Sequence, residues 1–337
     1  MKGKLKILCP VRFDSSAPIQ TVHREIAYRL QSEFTFLGFI SENNNLSLPA
    51  LYSPHKIDSE WSQFKRAIQI LRLYSNKHDI IHTGAPGLKS HRFLVQFAKK
   101  RGASHIHTVH TVTSNNHKRQ CWLVNNADVV TTVSPFVAEW MENECQASVD
   151  EIIPNGVDLT QFRPDRAETE SGHILFVGRL VERKNPKLVI ELAKHHDDVN
   201  FTVRGDGPLR SQLGHRAPPN VRYLGRLPTD ELADMYSRAE VVICPYEKEG
   251  FGMVVIEAMA SGTPVVGLNS GNLSSLITEE SGELCSTLDI DEWSQTVSRV
   301  RDSIDQYDPC ARARDFTWDQ ISQQYKQVYD DVLKTNR

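Results

Sequence analysis

Two glutamates lie eight residues apart in a glycine-rich segment of the second half of the chain. The segment runs from Glu249 to Pro264 with the sequence EGFGMVVIEAMASGTP, and Glu257 is its second glutamate. Gly250 and Gly252 allow a close approach of the backbone to a ligand, and a helix that follows them presents unpaired N–H groups to an anion. At about 1.5 Å per helical residue, the two carboxylates are roughly 10 Å apart. This spacing suits a ligand with hydroxyl groups at both ends and a diphosphate between them.

Three cations, two of them Arg179 and Lys184, occur in the segment FVGRLVERKNP, which follows another short apolar run. Arg179 and Lys184 can both reach a diphosphate and neutralise the charge that grows on it when its bond to a sugar breaks. Since these cations replace a divalent metal, and since no DxD-like acidic pair is evident, we expect no metal and no cofactor. Surface charges at helix ends remain the simpler alternative for all four residues.

Elements that alternate along the chain must position these residues. Short apolar runs are separated by amphipathic stretches, a pattern typical of βαβ units around parallel sheets. Strands are predicted at 5–9, 34–40, 79–82, 104–109 and 129–133, and then at 174–177, 200–204, 221–224, 241–245 and 264–267. Helices are predicted at 20–31, where apolar residues recur every fourth position, and at 60–74. The predicted fold class is α/β, with two Rossmann-like doubly wound domains that face each other across a cleft.

The composition favours a cytoplasmic protein of ordinary globular type. Hydrophobic residues make up 39% and charged residues 24% of the 337 residues. Six cysteines without a CxxC pair argue against a zinc module or a disulfide framework. The net charge of −3 gives no nucleic-acid signal, although residues 1–165 carry 19 Lys and Arg against 15 Asp and Glu. This small excess is a weak indication of an anionic acceptor or of peripheral contact with a membrane, and a solvated face explains it as well.

The combined motifs resemble the retaining GT-B glycosyltransferases of the family 4 (group 1) type. The resemblance rests on the two spaced glutamates, on VGRLVERKNP, on GDGP from Gly205, on IPNGVD from Ile153, and on Phe316-Thr-Trp318 before the last helix. It implies a UDP- or GDP-sugar donor, transfer that keeps the anomeric configuration, and a glycan, lipid-linked or small-molecule acceptor. The expected domains are an acceptor domain over 1–165 and a nucleotide-sugar domain over 166–312. The last segment, 313–337, is expected to pack back on the first domain.

The resemblance also implies roles for particular residues. Glu249 would hold donor-sugar hydroxyls, Glu257 the ribose, and Arg179 with Lys184 the diphosphate. His110 would reach the donor sugar from the first domain, and the departing phosphate itself would take the acceptor proton. Further donor-binding residues are expected in the glycine-rich loops of the second domain: Gly205, Gly225, Arg226, Leu227, Gly250, Phe251, Gly252, Met253 and Val254.

One loop departs from the family pattern. A glycine pair is common after the first strand, but residues 11–18 have the sequence VRFDSSAP. Ser15 and Ser16 are small and could donate hydroxyl hydrogen bonds to the donor instead. The loss keeps open the alternative of a non-catalytic subunit that binds nucleotide sugars. A nucleotide-sugar epimerase of GT-B fold is a further alternative, against which the spacing of Glu249 and Glu257 argues.

Three histidines close to one another in sequence suggest a second kind of chemistry. His105 and His107 share a face of a predicted strand, and His110 follows it. No fourth ligand or neighbouring carboxylate is evident, so ordinary hydrogen-bonded histidines are the favoured interpretation over a metal site.

Overall fold

The computed structural model describes residues 4–12, 18–41, 55–57, 77–84, 91–112, 116–164, 172–225 and 229–335. The chain forms two compact units, the first made of residues 1–156 and 318–337 and the second of residues 157–317. The helix predicted at 60–74 lies outside the described residues. No helix in the described ranges is both long and apolar enough to cross a membrane.

The first unit is built on a parallel sheet with the described strand order β3-β2-β1-β4-β5-β6-β7. Its strands are β1 (Leu5–Arg12), β2 (Phe34–Ser41), β3 (His55–Ile57), β4 (Ile80–Thr83), β5 (Ser104–Val109), β6 (Val129–Thr132) and β7 (Glu151–Ile152). Its described helices are α1 (Pro18–Leu30), α2 (His91–Lys99), α3 (His117–Val124), α4 (Pro135–Cys145) and, from the end of the chain, α12 (Trp318–Thr335). The order of the strands reverses direction between β1 and β4.

The core of the first unit joins both ends of the chain. The predicted apolar face of α1 is buried, since Val22, Ile26 and Leu30 are at most 2% exposed. Against it pack the apolar side chains of α12, of which Ile321 and Tyr329 are fully buried in the same cluster. The last helix is therefore part of the first unit.

The second unit has the described strand order β10-β9-β8-β11-β12-β13. Its strands are β8 (His173–Val177), β9 (Asn200–Arg204), β10 (Val221–Gly225), β11 (Val241–Cys244), β12 (Val265–Leu268) and β13 (Gly282–Cys285). Its described helices are α5 (Pro186–His195), α6 (Arg210–Gly214), α7 (Thr229–Arg238), α8 (Met253–Ala260), α9 (Leu273–Leu276), α10 (Ile290–Asp302) and α11 (Pro309–Ala313). The strands β11 and β12 are buried throughout, as parallel strands covered on both faces must be.

The predicted α/β class with two doubly wound sheets is confirmed. All ten predicted strands are present with ends shifted by a few residues, and 104–109 and 200–204 match the observed strands. The three strands that the sequence did not predict, β3, β7 and β13, have two to four residues and lie at sheet edges. Strands that short show too little alternation to be recognised.

Candidate active site

The strongest sequence motifs meet where the second sheet reverses its strand order. The chain leaves β8 toward β9 on one side, and β11 lies on the other side of β8. At such a switch point two loops diverge from the carboxyl ends of neighbouring strands and leave a crevice for a ligand. The loop after β8 contains Arg179 and Lys184, and the loop after β11 contains Glu249.

Lys184 and Glu249 form a close ion pair in this crevice. The Lys184 Nζ donates to Glu249 Oε2 at 2.5 Å and lies 3.5 Å from the centre of the Tyr246 ring. Lys184 is only 8% exposed, and burial lowers its pKa although the carboxylate opposes that effect. Arg183 adds a second positive charge 3.9 Å from the same carboxylate oxygen. Arg183 has no role predicted from the sequence, because nothing in the sequence ranks it above the other cations of its loop.

The loop after β8 is held against the loop after β11 by Asn185. A short 3₁₀ turn, Glu182–Lys184, ends at Asn185, which has a left-handed backbone with φ 46°. Asn185 stands at the N-cap position of α5, but its side chain does not cap that helix. It donates instead to the Pro245 carbonyl at 2.9 Å and to Glu247 at 3.2 Å. This bridge places Lys184 beside Glu249.

The glycine-rich segment after Glu249 is held by a third loop, which follows β12. The Asn272 side chain donates to the Phe251 carbonyl at 2.8 Å, and the Asn272 backbone N–H donates to the Glu249 carbonyl at 2.9 Å. Helix α8 begins only at Met253, after Gly252 with φ 112°. The helical rise therefore cannot be applied to all eight residues from Glu249 to Glu257, so the estimate of roughly 10 Å rested on a wrong assumption.

Glu257 lies on the second turn of α8 in an environment that disfavours its charge. Burial raises its pKa to about 7, while a hydrogen bond of 3.1 Å from the Tyr236 hydroxyl and the charge of Arg204 act in the opposite direction. Met253 and Val254, at the start of the helix, are partly exposed, and Phe251 is buried. Glu257 is therefore a partly buried carboxyl whose pKa is raised above its ordinary value by desolvation.

Two of the predicted glycine turns, at Gly205 and Gly225, come together with Gly178 at the ends of β8, β9 and β10. The Gly205 N–H donates to the Gly225 carbonyl at 2.8 Å, and the Gly178 N–H donates to the Arg204 carbonyl at 2.9 Å. A Cβ at Gly205 would lie 1.8 Å from the Gly178 oxygen. Arg179 is exposed beside this turn and makes no ion pair with any residue that the structure describes. Arg226 and Leu227 lie outside the described residues.

His110 lies in the first unit, directly after β5. Its Nε2 atom is buried and has no hydrogen-bond partner among the described residues. Burial, and then the neighbouring His23, lower the pKa of His110 to about 3, so the ring is neutral near pH 7. A Cβ at Gly84 would lie 2.9 Å from His110 Nε2 and 2.7 Å from His23 Cε1. Gly84 and His23 went unnoticed in the sequence because neither belongs to a recognisable pattern.

The other residues singled out in the first unit have simpler surroundings. The His105 Nε2 and the His107 Nδ1 lie 2.9 and 2.6 Å from the Thr83 hydroxyl, and His107 also contacts Gln120 at 2.9 Å. These are hydrogen-bonded core histidines, as the favoured interpretation had it. Ser15 and Ser16 lie outside the described residues.

The expectation of unpaired cysteines is wrong for one pair. Cys121 and Cys145 form a disulfide between α3 and α4, with Cα atoms 4.8 Å apart. The spacing of 24 residues carries no signal, because it is the packing of the two helices that brings the sulfurs together. Cys9, Cys244, Cys285 and Cys310 are free.

The comparisons with known proteins agree with this arrangement. The family model for glycosyl transferases group 1 matches residues 158–312, and the model for glycosyltransferase family 4 matches residues 38–161. Sucrose-phosphate synthase from Thermosynechococcus elongatus superimposes with a TM-score of 0.79 at 19% identity, covering 99% of this chain and 100% of that one. Anabaena Alr3699/HepE in complex with UDP and glucose superimposes with a TM-score of 0.78 at 15% identity, covering 97% and 100%. The fold is GT-B.

The curated sequence relatives share motifs with this chain but align with it over only part of their own length. Glycogen synthase of Mycobacterium tuberculosis is 30% identical over 238 residues, which are 63% of this chain and 56% of that protein. D-inositol 3-phosphate glycosyltransferase of Corynebacterium kroppenstedtii is 29% identical over 220 residues, 55% and 49% of the two chains. This chain thus spans about half the length of these curated relatives. With both family models matched along the chain, it belongs to the group 1 (family 4) glycosyltransferases.

Proposed function

We propose that this protein transfers a hexose from a UDP- or GDP-sugar to a glycan, lipid-linked or small-molecule acceptor, with retention of the anomeric configuration and without a metal. The observation that carries the proposal is the Lys184–Glu249 pair at the switch point of the second sheet. A buried ion pair costs desolvation energy, so it is weak evidence for stability and is better explained by a ligand that needs both charges.

The two charges suit the two ends of a sugar diphosphate. The Lys184 amine, with Arg183 beside it and Arg179 exposed on the same loop, would bind the phosphate oxygens and stabilise the leaving group. When the donor binds, Glu249 would give up its contact with Lys184 and accept hydrogen bonds from hydroxyl groups of the sugar. An ionised carboxylate can do this because it accepts several hydrogen bonds. This division of roles explains why a carboxylate lies so close to a diphosphate site, and it leaves no step that requires a metal.

The rest of the donor would lie along the loops that the second unit assembles. Glu257 would accept hydrogen bonds from the ribose, and the turns at Gly205 and Gly225 would allow close contact of the backbone with the donor. The solved structures of Alr3699/HepE with UDP and with UDP-glucose favour a uridine donor for a chain of this fold. The role of His110 toward the donor sugar rests on the family resemblance and on its unpartnered Nε2. We also infer that the protein acts in the cytoplasm. Peripheral contact with a membrane is an additional part of this proposal.

A donor panel tests the proposal. UDP- and GDP-linked glucose, GlcNAc, galactose and mannose are each titrated by calorimetry into the wild type, Lys184→Ala and Lys187→Ala. Lys187 is a matched control because it lies three residues away, is exposed and pairs with Glu182. We expect one donor to bind the wild type and the control equally, and to bind Lys184→Ala at least about 100-fold more weakly, a loss typical of a charged hydrogen bond to a ligand.

Turnover separates the transferase from its alternatives. Slow release of nucleoside diphosphate from the bound donor is expected in the wild type, and Glu249→Gln should lower it by about 100-fold or more while the fold, followed by circular dichroism, is unchanged. Binding without turnover, with every acceptor tried, would point to the non-catalytic subunit. An isomerised free sugar formed without acceptor would point to the epimerase. No binding of any donor would reject the proposed site.

A further inference from the structure

A group of four potential metal ligands lies in the first unit, on helices α3 and α4. We call it the His117 cluster, and it consists of His117, Cys121, Glu144 and Cys145. The His117 Nε2 lies 3.3 Å from Cys121 Sγ and 3.8 Å from Glu144 Oε2. The ligand atoms of His117, Cys121 and Cys145 all lie within 4.8 Å of one another.

The local structure explains why these side chains converge. His117 and Cys121 are four residues apart on α3, and residues with that spacing share one face of a helix. Glu144 and Cys145 are the last two residues of α4, which packs against α3. Cys145 is 7% exposed, whereas the side chains of His117 and Glu144 are 34% and 54% exposed. The cluster therefore has a buried side formed by Cys145 and a partly exposed side through which an ion can arrive.

We propose that the His117 cluster is a redox-controlled site for a divalent cation of the zinc class. The site cannot bind the cation while Cys121 and Cys145 form a disulfide, and it can bind the cation once a thiol has reduced that disulfide. Two thiolates, one imidazole nitrogen and one carboxylate oxygen form a donor set that zinc accepts in tetrahedral geometry. In the oxidised form, the disulfide and the contacts of the His117 ring with Cys121 Sγ and Glu144 Oε2 keep the same four groups together.

The distances fit this geometry. With bonds of about 2.3 Å to sulfur and about 2.0–2.1 Å to nitrogen and oxygen, a tetrahedral zinc ion separates nitrogen from sulfur by about 3.6 Å and nitrogen from oxygen by about 3.4 Å. The corresponding separations here are 3.3 and 3.8 Å. The Cα atoms of the two cysteines are 4.8 Å apart, so side-chain rotation alone can bring both thiolates to one ion.

The chemistry balances with a small thiol as the reductant. Two molecules of that thiol supply two electrons and two protons, the bond between Cys121 and Cys145 breaks, and the small thiol leaves as its own disulfide. The cation then displaces one proton from each cysteine thiol, while the neutral His117 ring contributes a lone pair. Metal uptake is therefore expected to release two protons and to be weaker at low pH.

Cobalt and zinc binding to the full chain test the inference. The protein is reduced with dithiothreitol, freed of it under argon, and titrated with Co²⁺. The thiolate-to-cobalt charge-transfer band and the tetrahedral d–d bands are recorded, and bound Zn²⁺ is counted by mass spectrometry after dialysis. We expect one equivalent of metal in the reduced wild type and none in the oxidised wild type.

Three variants distinguish this site from other thiols. Cys145→Ser and His117→Ala should each bind at least about 10-fold more weakly, since the loss of even an outer-shell partner costs that much. Cys310→Ser removes one partly exposed thiol elsewhere and should bind as the wild type does. Because the His117 side chain is 34% exposed, we expect His117→Ala to fold even if Cys145→Ser is unstable. Absence of metal from the reduced wild type, or equal binding by all variants, would overturn the proposal.

Discussion

In the proposed donor site, the partly buried carboxyl of Glu257 would couple donor binding to pH. Its pKa of about 7 means that the native protein holds a proton between about pH 4.5 and 7 that the unfolded chain has released. The raised pKa therefore stabilises the fold fully below the unfolded value, and this contribution is lost as the pH rises through 7. A ligand that binds only the ionised carboxylate shifts the protonation equilibrium of Glu257 the other way, because its binding releases the proton.

Glu257→Gln is expected to remove both effects. The wild type should lose up to about 3 kcal/mol of unfolding free energy relative to the variant between pH 4.5 and 8, because a pKa difference converts at about 1.4 kcal/mol per unit. Denaturation in urea at several pH values measures this. The affinity of the wild type for the nucleoside diphosphate should rise from pH 6 to 8, and that of the variant should stay level.

An exposed glutamate of the same unit, Glu279, provides the control as Glu279→Gln. It should follow the wild type in both measurements. If Glu257→Gln shows the wild-type pH dependence of both stability and affinity, the assignment of Glu257 to the ribose is rejected.

At the scale of elements, the turns that follow the strands set the positions of the residues of the site. Gly205 has φ 152°, and a Cβ there would lie 1.8 Å from the Gly178 oxygen, so the loops after β8 and β9 can approach only without a side chain. The loop after β8 borders the switch point, so a shift of the loop after β9 against it would move the cations beside Glu249. Backbone contacts of this kind are common where a phosphate must come close to the chain.

Gly205→Ala should therefore destabilise the second unit by about 1–3 kcal/mol or more and weaken donor binding, since strain and a backbone clash act together. Gly214→Ala is the matched control, because Gly214 ends the short helix α6 and nothing lies within 4 Å of an added Cβ. That control should be neutral or slightly stabilising. Thermal unfolding and calorimetry with the nucleoside diphosphate compare the two, and equal behaviour would contradict the close-approach argument.

At the scale of the whole molecule, the last helix connects the end of the chain to its beginning. α12 contributes Ile321, Tyr325 and Tyr329, all fully buried, to the core of the first unit. Tyr329 also holds His82 through a hydrogen bond of 2.8 Å. Each such side chain contributes about 1.5–3 kcal/mol on burial, so three of them match a large part of a domain's net stability of about 5–15 kcal/mol.

Deletion of residues 318–337 is thus expected to unfold or strongly loosen the first unit while the second keeps its structure. Hydrogen exchange followed by mass spectrometry measures both units in one experiment. Peptides from 1–156 should lose protection, and peptides from 157–317 should not. Deletion of the last two residues alone is the control and should change neither set. Full protection of the first unit after the larger deletion would contradict the packing seen for α12.

Much of the fold is visible in the sequence, because it depends on near neighbours. Alternating apolar runs and amphipathic stretches are properties of short windows, and they were enough for two doubly wound sheets and for ten strands. The glutamates, the cations and the glycines also occur in short motifs, so their candidate roles could be proposed before any coordinates. Edge strands of two to four residues lie below the length at which such patterns are recognisable.

Contacts between distant segments were decided only by the tertiary structure. Lys184 meets Glu249 across 65 residues because the strand order reverses between β8 and β11. Gly84 comes between His23 and His110, and Cys121 reaches Cys145, for the same kind of reason. Strand order and helix packing result from burying all apolar faces at once, a collective balance that no local pattern encodes. The sequence thus determined which chemical groups the protein has and which elements hold them, and the packing decided which of these groups touch.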